Sequence, residues 1–562
     1  MLTLPLADVW MPSLHDLTYI HPILALVGTI VAVLLGALLV GRNWRVTASI
    51  AVLGALATAG LAARDFDTAG NWGGMVPAGS APMLVVDQFS LFFIFLASVF
   101  LIGVSGLWWL GQGAGLPEKL ARKQDAVEFF VLFLGSALGM ALMVSTTNLL
   151  MIVLAVEMAS LPSYALAGFR KSHRLAAEAS VKYVLFGAIT SATMVYGASL
   201  LYGRYQSLDV VRIGELVAAD MAHGGLGVLT GVAIFGVLVG VAFKVSAVPF
   251  HFWCPDVFEG AGIEVTTWLS VASKAAGLGL MLRVLSAFAA TQAAVYPLTQ
   301  TLSVAIAVMA AITCTVGNFS AFKQTNLKRL LAFSSIAHAG YMLMAVAIIW
   351  YPTNGRADMV HPAFSAIAAY LIVYLFMNLG AFGIIAMVYW ETGKETIDAF
   401  HGLIRRQPLL AICMAVCLFS LIGLPPLGGF IAKWWLLSAL WDANLHWLVI
   451  VAVFNTLISL YYYVRIIRAM VMVDDGQPEV RAPLAGQGIA LACAVAVLLM
   501  GTFWAGGLKR FTDARSLNLF AMGAAGSASA QAPTAAGGTV RPSNPTEIAT
   551  ADAASLAAGA SK

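Results

Sequence analysis

Charge is what this sequence has least of. Only 10% of its 562 residues are Asp, Glu, Lys or Arg, against about a quarter in soluble domains, so an ordinary water-facing surface cannot be built from it. Nucleotide-binding sequence is also missing. There is no GxGxxG stretch and no Walker sequence, which places any nucleotide chemistry outside the chain. Cysteine is sparse: Cys254, Cys314, Cys413, Cys417 and Cys493 fall in or beside apolar runs. Cys413 and Cys417 lie one helical turn apart and no second pair follows, so neither a zinc site, an iron–sulfur cluster nor a disulfide framework is indicated. The first 18 residues lack Lys and Arg, whereas a cleavable signal peptide needs a basic start; insertion is expected to begin with the first spanning helix. A net charge of +4, scattered over the connections, argues against nucleic acid as a partner.

What the chain has is apolar length. Hydrophobic residues make up 60% of it and the mean hydropathy is +0.88. Runs of about 20 residues or more, each enough to cross ~30 Å of hydrocarbon as a helix, recur from Tyr19 to Trp504. Short alternating segments, the mark of a membrane barrel, are not the pattern. The expected fold is an all-α polytopic membrane bundle of about fourteen helices.

Charge in the connections agrees with that count. Numbered in order, the odd connections hold Arg42 and Arg45, Lys119 to Lys123, Arg170 to Arg174, Lys323 to Arg329, Lys394 to Arg406, and Arg465 to Arg481. The even ones hold only Arg64, Arg204, Arg212 and Arg356. Basic connections stay cytoplasmic, which puts both termini on the opposite side. Beyond about Asn518 the chain turns Ala-, Gly- and Ser-rich, with too little apolar surface to order itself, so 518–562 is expected to be a disordered tail.

Against this background six residues are out of place. Lys182, Lys244, Lys274, Arg283 and Lys433 fall inside apolar segments, and Glu157 lies in the middle of "NLLMIVLAVEMASLPSYALAG". A charge at membrane depth is costly and marks a functional site by default. Two have simpler readings. Arg283, near a helix end, is expected to snorkel to the interface, and Lys182 follows Glu178 by four residues, the spacing of a local helical ion pair. The other four, on separate helices, suggest a polar path through the bundle.

Proline is the second anomaly. In "AFKVSAVPFHFW" Pro249 cannot donate to the carbonyl of Val245, so the helix opens beside Lys244. In "SLIGLPPLGGFIAKWW" Pro425 and Pro426 free the carbonyls of Leu421 and Ile422, Gly428 and Gly429 follow, and then Lys433. Two broken helices, each with a lysine, are the trace of an internal repeat lining a midplane ion site. A lysine taken out of water holds its proton less tightly, and an approaching carboxylate restores the hold. Such groups joined by water form a switchable proton wire. His338, after Ser334 and Ser335, reads either as a satisfied core histidine or as a relay.

The stretches "DQFSLFF" (87–93), "EMASLPSYALAGFRKS" (157–172), "FKVSAVPFHFWCPDVFEGA" (243–261), "NLKRLLAFSSIAHAGYML" (326–343), "GLPPLGGFIAKWW" (423–435) and "YYYVRIIRAM" (461–470) resemble, in order and spacing, the subunit N family of antiporter-like membrane subunits of the proton-pumping NADH:quinone oxidoreductase, respiratory complex I. The resemblance implies fourteen helices: an N-terminal group of three (1–110), two inverted five-helix repeats (126–288 and 296–472) whose seventh and twelfth helices are discontinuous, and a last helix at 486–506. It implies roles as well. Glu157 corresponds to the carboxylate controlling the proton site, Lys182 to its basic partner, Lys244 to the central carrier, Lys274 to the connecting carrier, Lys433 to the residue leading to the outer exit, and His338 to a histidine common at its position.

The chain departs from the family after "PDVFEGA". It reads "GIEVTTWL", which places an extra acid, Glu264, at the start of the eighth helix, either as a favourable helix-start charge or as a change to proton entry.

The resemblance thus implies a proton-translocating membrane-arm subunit in a bacterial inner membrane. Its partners would be other complex I membrane subunits and, indirectly, the peripheral redox arm. NADH, FMN, iron–sulfur clusters and quinone would belong to those partners, with no redox catalysis by this chain alone. Two alternatives stay open: a subunit of a multisubunit cation/proton antiporter or membrane-bound hydrogenase, and a structural scaffold whose charges only tie helices together.

Overall fold

Hydrocarbon offers no partner for backbone N–H and C=O groups, so a spanning chain must pair them within itself, and this sequence does so with helices. A computed structural model describes residues 17, 20–66, 83–112, 123–223, 225–289, 296–349, 360–473, 480 and 482–516. All of these fall in one compact unit, Met1–Gly523. The expected disordered tail lies outside the described residues.

In chain order the helices are α1 (His21–Val40), α2 (Trp44–Asp65), α3 (Gln88–Gly111), α4 (Ala126–Val144), α5 (Leu149–Ala167), α6 (Arg174–Tyr205), α7 (Val210–His223), α8 (Val228–Val245) and α9 (Trp253–Gly260). There follow α10 (Ile263–Trp268, continuing through Leu269–Ser273 and Lys274–Ala289), α11 (Tyr296–Ala321), α12 (Leu327–Ile348), α13 (Val360–Thr392), α14 (Pro408–Ile422), α15 (Gly428–Asp442), α16 (His446–Met472), α17 (Leu484–Gly501) and α18 (Ala505–Ser516). Among the described residues thirteen helices are long and apolar enough to cross a membrane. The chain is an integral membrane protein of all-α class.

Two expected helices are shorter than their apolar runs. The run at 226–252 stops as a helix at Val245 and resumes at Trp253, and the run at 408–440 is split between Ile422 and Gly428. Both gaps contain the prolines singled out above. Helix α7 is an element the apolar-run reading overlooks; Val210, Ile213, Gly214, Val217 and Ala218 form its buried stripe, at the spacing of an amphipathic helix.

Asparagines start α5 and α12 in the same way. Asn148 accepts from the Leu150 and Met151 amides at 3.0 and 3.3 Å, and Asn326 accepts from the Arg329 amide at 3.1 Å. Each also joins a one-residue bridge to a later connection, Asn148 to Asp209 and Asn326 to Thr396. The backbone bonds correspond one for one. Leu149 N donates to Leu208 O and Val210 N to Thr147 O, while Leu327 N donates to Glu395 O and Ile397 N to Thr325 O.

Burial sorts the helices. The spanning parts of α10 and α12 are wholly enclosed by the rest of the chain, and α13 nearly so, whereas α1 and α6 present most of their apolar side chains outward. Side chains such as Leu38, Leu39, Val181 and Ile189 face out, as a lipid-contacting rim requires. The enclosed helices α10 and α12 carry Lys274 and His338.

Candidate functional site

The break between α14 and α15 is built around Lys433. Its Nζ donates to the carbonyls of Leu421 at 3.2 Å and Ile422 at 2.9 Å, the two that lose their amide donors to Pro425 and Pro426. Gly423, at φ +89°, lets the chain turn; a Cβ there would meet Lys433 Cδ at 2.9 Å. Gly429 donates its amide to Ser420 Oγ at 2.9 Å and approaches so closely that a Cβ would lie 1.8 Å from Ser420 O. Lys433 also lies over the Tyr341 ring, 4.6 Å from its centroid.

The break between α8 and α9 holds two lysines. Lys244 occupies the last turn of α8 and is buried. Ser246 follows in the left-handed conformation at φ +62°, and Ala247 N donates back to Ala242 O at 2.9 Å. Lys274 of α10 reaches this turn from the other side. Its Nζ lies 3.5 Å from Ser246 Oγ and 3.7 Å from Cys254 Sγ, and 5.3 Å from the Phe258 ring centroid. A π-helical turn, Leu269–Ser273, immediately precedes it; such turns shift the register of a helix by one residue and gather at functional sites. Gly277 lets α10 pack against α8, since a Cβ there would lie 3.1 Å from Lys244 Cβ.

Between the two breaks runs a polar column. Cys254 Sγ lies 3.9 Å from Ser335 Oγ on α12. Ser334 is hydrogen-bonded to Tyr463, whose hydroxyl lies 3.4 Å from His338 Nε2. The other imidazole nitrogen, Nδ1, is hydrogen-bonded to the Tyr370 hydroxyl at 2.6 Å. His338 is thus bracketed by two phenols, and Lys433 is the cation that acts on it. At the other end Glu157 Oε1 is buried without a hydrogen-bond partner among the described residues, and its charge acts on Lys244.

The other two bases singled out from the sequence, Lys182 and Arg283, are paired. Lys182 contacts Glu178 and Asp256, each at 2.7 Å; the local pair expected from spacing is present, and Asp256 joins it. Arg329 bridges Asp256 and Glu259 at 2.6 Å each, so α6, α9 and α12 are tied together. The expectation that Arg283 snorkels is overturned. Its guanidinium is 3% exposed and grips Asp87 with two bonds of 2.5 and 2.7 Å. It donates to Val144 O as well, and stacks on Phe89, 4.6 Å from the centroid. The partner is a carboxylate of α3's capping box, so the arginine is held inward.

Lys328 is a buried cation that hydropathy reading placed in a connection. It pairs with Glu395 at 2.8 Å and donates to Ala261 O at 2.8 Å. Lys244, Lys274 and Lys433, by contrast, have no carboxylate within ion-pair distance among the described residues. The neighbours of Lys274 and Lys433 are carbonyls, a hydroxyl, a thiol and aromatic faces.

The family described as NADH:quinone oxidoreductase/Mrp antiporter, TM, matches residues 146–459. NADH-quinone oxidoreductase subunit N of Anaeromyxobacter sp. strain Fw109-5 is 39% identical over 92% of this chain and 99% of its own length. Among solved structures, a chain of respiratory complex I from Thermus thermophilus is 30% identical, covers 87% of this chain and 98% of its own, and superposes with a TM-score of 0.68. A chain of the archaeal membrane-bound sulfane sulfur reductase superposes with a TM-score of 0.76 over 90% of this chain at 21% identity, a likeness of fold.

Proposed function

The chain belongs to the NADH-quinone oxidoreductase subunit N family, and we propose that it moves protons through Lys244, Lys274, His338 and Lys433 while partner subunits carry out the redox reaction. It is a proton-translocating membrane-arm subunit, and its partners are other membrane-arm subunits and, through them, the redox arm. NADH, FMN, iron–sulfur clusters and quinone are held by those partners, in a bacterial inner membrane. The face bearing Arg42, Arg170, Lys171 and Lys394 is cytoplasmic by the basic-connection rule, which leaves both termini on the other side.

The observation that carries this function is the difference between two sets of bases. Lys328 and Arg283, both buried, each have a carboxylate within 3 Å, as a structural charge deep in a protein requires, and the partly exposed Lys182 is paired as closely. Lys274 and Lys433 have hydrogen-bond acceptors, Lys244 is buried in the last turn of α8, and none of the three has a carboxylate within ion-pair distance among the described residues, an arrangement that does not fix the amine as ammonium. Glu157 then acts as the switch: near Lys244 it holds the proton there, and drawn away it releases it. Lys182, held here by Glu178 and Asp256, is the basic partner proposed for that carboxylate. Differential interactions of about 1–3 kcal/mol suffice for coupling of this kind.

Two inverted five-helix repeats, 126–288 and 296–472, provide the frame. The paired bridges at Asn148 and Asn326 support them, because they occupy matching places in the two halves yet fall on connections assigned to opposite faces. Helices α8 with α9, and α14 with α15, are the discontinuous seventh and twelfth members. Counting α14 and α15 as one crossing brings the thirteen long helices to fourteen.

The test is purification through an affinity tag on the C-terminal tail, in mild detergent, with assay of NADH-dependent quinone reduction. Recovery with flavin, iron–sulfur subunits and that activity supports the assignment. Recovery only with other antiporter-like subunits, free of redox centres, moves the function to cation/proton exchange.

A further inference from the structure

Glu264, the acid by which this chain departs from its family's pattern, is 2% exposed at the start of α10. It lies at the inner end of a cavity of about 220 Å³ that Asp125, Phe129, Arg170, Lys171 and Gly262 also line. Lys171 is exposed and Glu264 is not, so the cavity leads inward from the face that carries the basic connections. Five further charges surround the carboxylate or act on its neighbours. Lys328 of α12 feels Glu264, Glu395 and Arg170 together, while Asp125 and Lys171 face the same cavity.

Inward from Glu264, α10 carries hydroxyls three residues apart at Thr267, Ser270 and Ser273, and the amine of Lys274 four residues after Ser270, each no more than 1% exposed. Residues at that spacing are neighbours on a helix surface. Thr267 Oγ1 donates to Ile263 O at 2.7 Å and Ser270 Oγ to Thr267 O at 2.6 Å, which leaves both oxygens free to accept. The π-helical turn lies within this stripe. The steps from Glu264 to Thr267 and from Thr267 to Ser270 rise about 4.5 Å along the axis and the step from Ser270 to Lys274 about 6 Å.

The geometry points to Glu264 as the proton-collecting residue of an input path that runs along α10 through Thr267 and Ser270 to Lys274. It rests on the function proposed above. A hydronium ion in the cavity gives its proton to the Glu264 carboxylate and becomes water. The carboxylic acid passes that proton to the hydroxyl chain, each member accepting one proton and handing on another. The neutral amine of Lys274 takes the last proton and becomes ammonium, and Glu264 is again a carboxylate. One proton has moved from the cavity to Lys274, with no redox change.

The experiment compares Glu264→Gln, Glu264→Asp, the double variant Thr267→Val/Ser270→Ala and Lys274→Ala in the whole complex, in membrane vesicles. NADH-driven proton uptake is followed as the pH on the cavity side is raised. Glu264→Gln is expected to lose several-fold in proton uptake, with the deficit growing toward alkaline pH, where protons are scarce, and Glu264→Asp is expected to recover most of it. The Thr267/Ser270 variant, which leaves the charges around Glu264 intact, is expected to show the same alkaline deficit, and it decides the matter should Glu264→Gln fail to assemble. If both profiles match wild type while Lys274→Ala is impaired, Glu264 only balances Lys328 and Arg170 and the input path is wrong. If Lys274→Ala is also unimpaired, the proton-carrying role assigned to Lys274 fails with it.

Discussion

Lys433 Nζ lies 3.2 and 2.9 Å from the carbonyls of Leu421 and Ile422, so one side chain takes the place of two missing backbone donors. The amine that closes the helix break is also the group proposed to pass protons outward. Lys433→Met therefore has two expected effects. It leaves two buried carbonyls without donors, at about 1–3 kcal/mol each, so the detergent-purified complex should melt at a lower temperature. It should also reduce proton pumping several-fold. Lys433→Arg, which keeps the charge and the donors, should recover stability better than pumping; equal recovery of both would mean that the residue's role is structural.

Asp87 and Arg283 make the opposite prediction. They are 6% and 3% exposed and share two hydrogen bonds, and neither adjoins the lysine column. Removing one partner strands a buried charge, at a cost of about 3–5 kcal/mol. Arg283→Leu or Asp87→Leu alone should sharply lower the amount of assembled subunit. The double variant should restore much of it, with pumping per assembled complex close to wild type. Quantitative immunoblotting of membranes beside pumping assays separates the two readouts.

Gly429 tests the packing of the second break. A Cβ there would sit 1.8 Å from the Ser420 carbonyl oxygen, and backbone on both sides would have to move. Gly429→Ala should reduce incorporation of the subunit into the complex. Gly488→Ala on α17 is the control, because nothing lies within 4 Å of the added atom and alanine favours helix over glycine by about 1 kcal/mol. Equal incorporation of the two variants would show that the α14–α15 break is looser than this geometry.

How much of the fold and site is legible in the sequence follows from what each feature costs. Lys244, Lys274 and Lys433 stand out because a cation in an apolar run needs a reason. The breaks stand out because proline has no N–H, and the carbonyls freed at Leu421 and Ile422 can be counted from residue order alone. Partners are another matter. Asp87 and Arg283 are 196 positions apart, and no local pattern joins them, which is why the arginine reads as a snorkelling residue. The pairing of Lys328 with Glu395 is hidden because both read as ordinary members of polar connections. The amphipathic spacing of Val210, Ile213, Val217 and Ala218 is open to view, but a search for long apolar runs passes over it. The π-helical turn before Lys274 leaves no mark in composition or periodicity, since it arises from how α10 packs.

Lys244 and Glu157 decide whether the column is a conduit. Lys244 is buried in the last turn of α8, and the nearest argument for its charge is the Glu157 carboxylate acting from α5. Were the pair purely structural, removing either member would destabilise the bundle, and removing both would be tolerated. A proton carrier behaves differently. Lys244→Ala should assemble, because Lys244 and Glu157, unlike Asp87 and Arg283, share no hydrogen bond or close ion pair among the described residues, yet it should pump weakly and slow quinone reduction through coupling to the partner subunits. Glu157→Gln should likewise assemble and lose pumping, since the amide keeps the shape but not the charge. The double variant should be no better than Lys244→Ala, because a switch has nothing left to act on. Rates of NADH-driven proton uptake and quinone reduction, normalised to assembled complex, measure all three. Wild-type pumping by an assembled Lys244→Ala complex would refute the central assignment, and rescue by the double variant would identify the pair as structural.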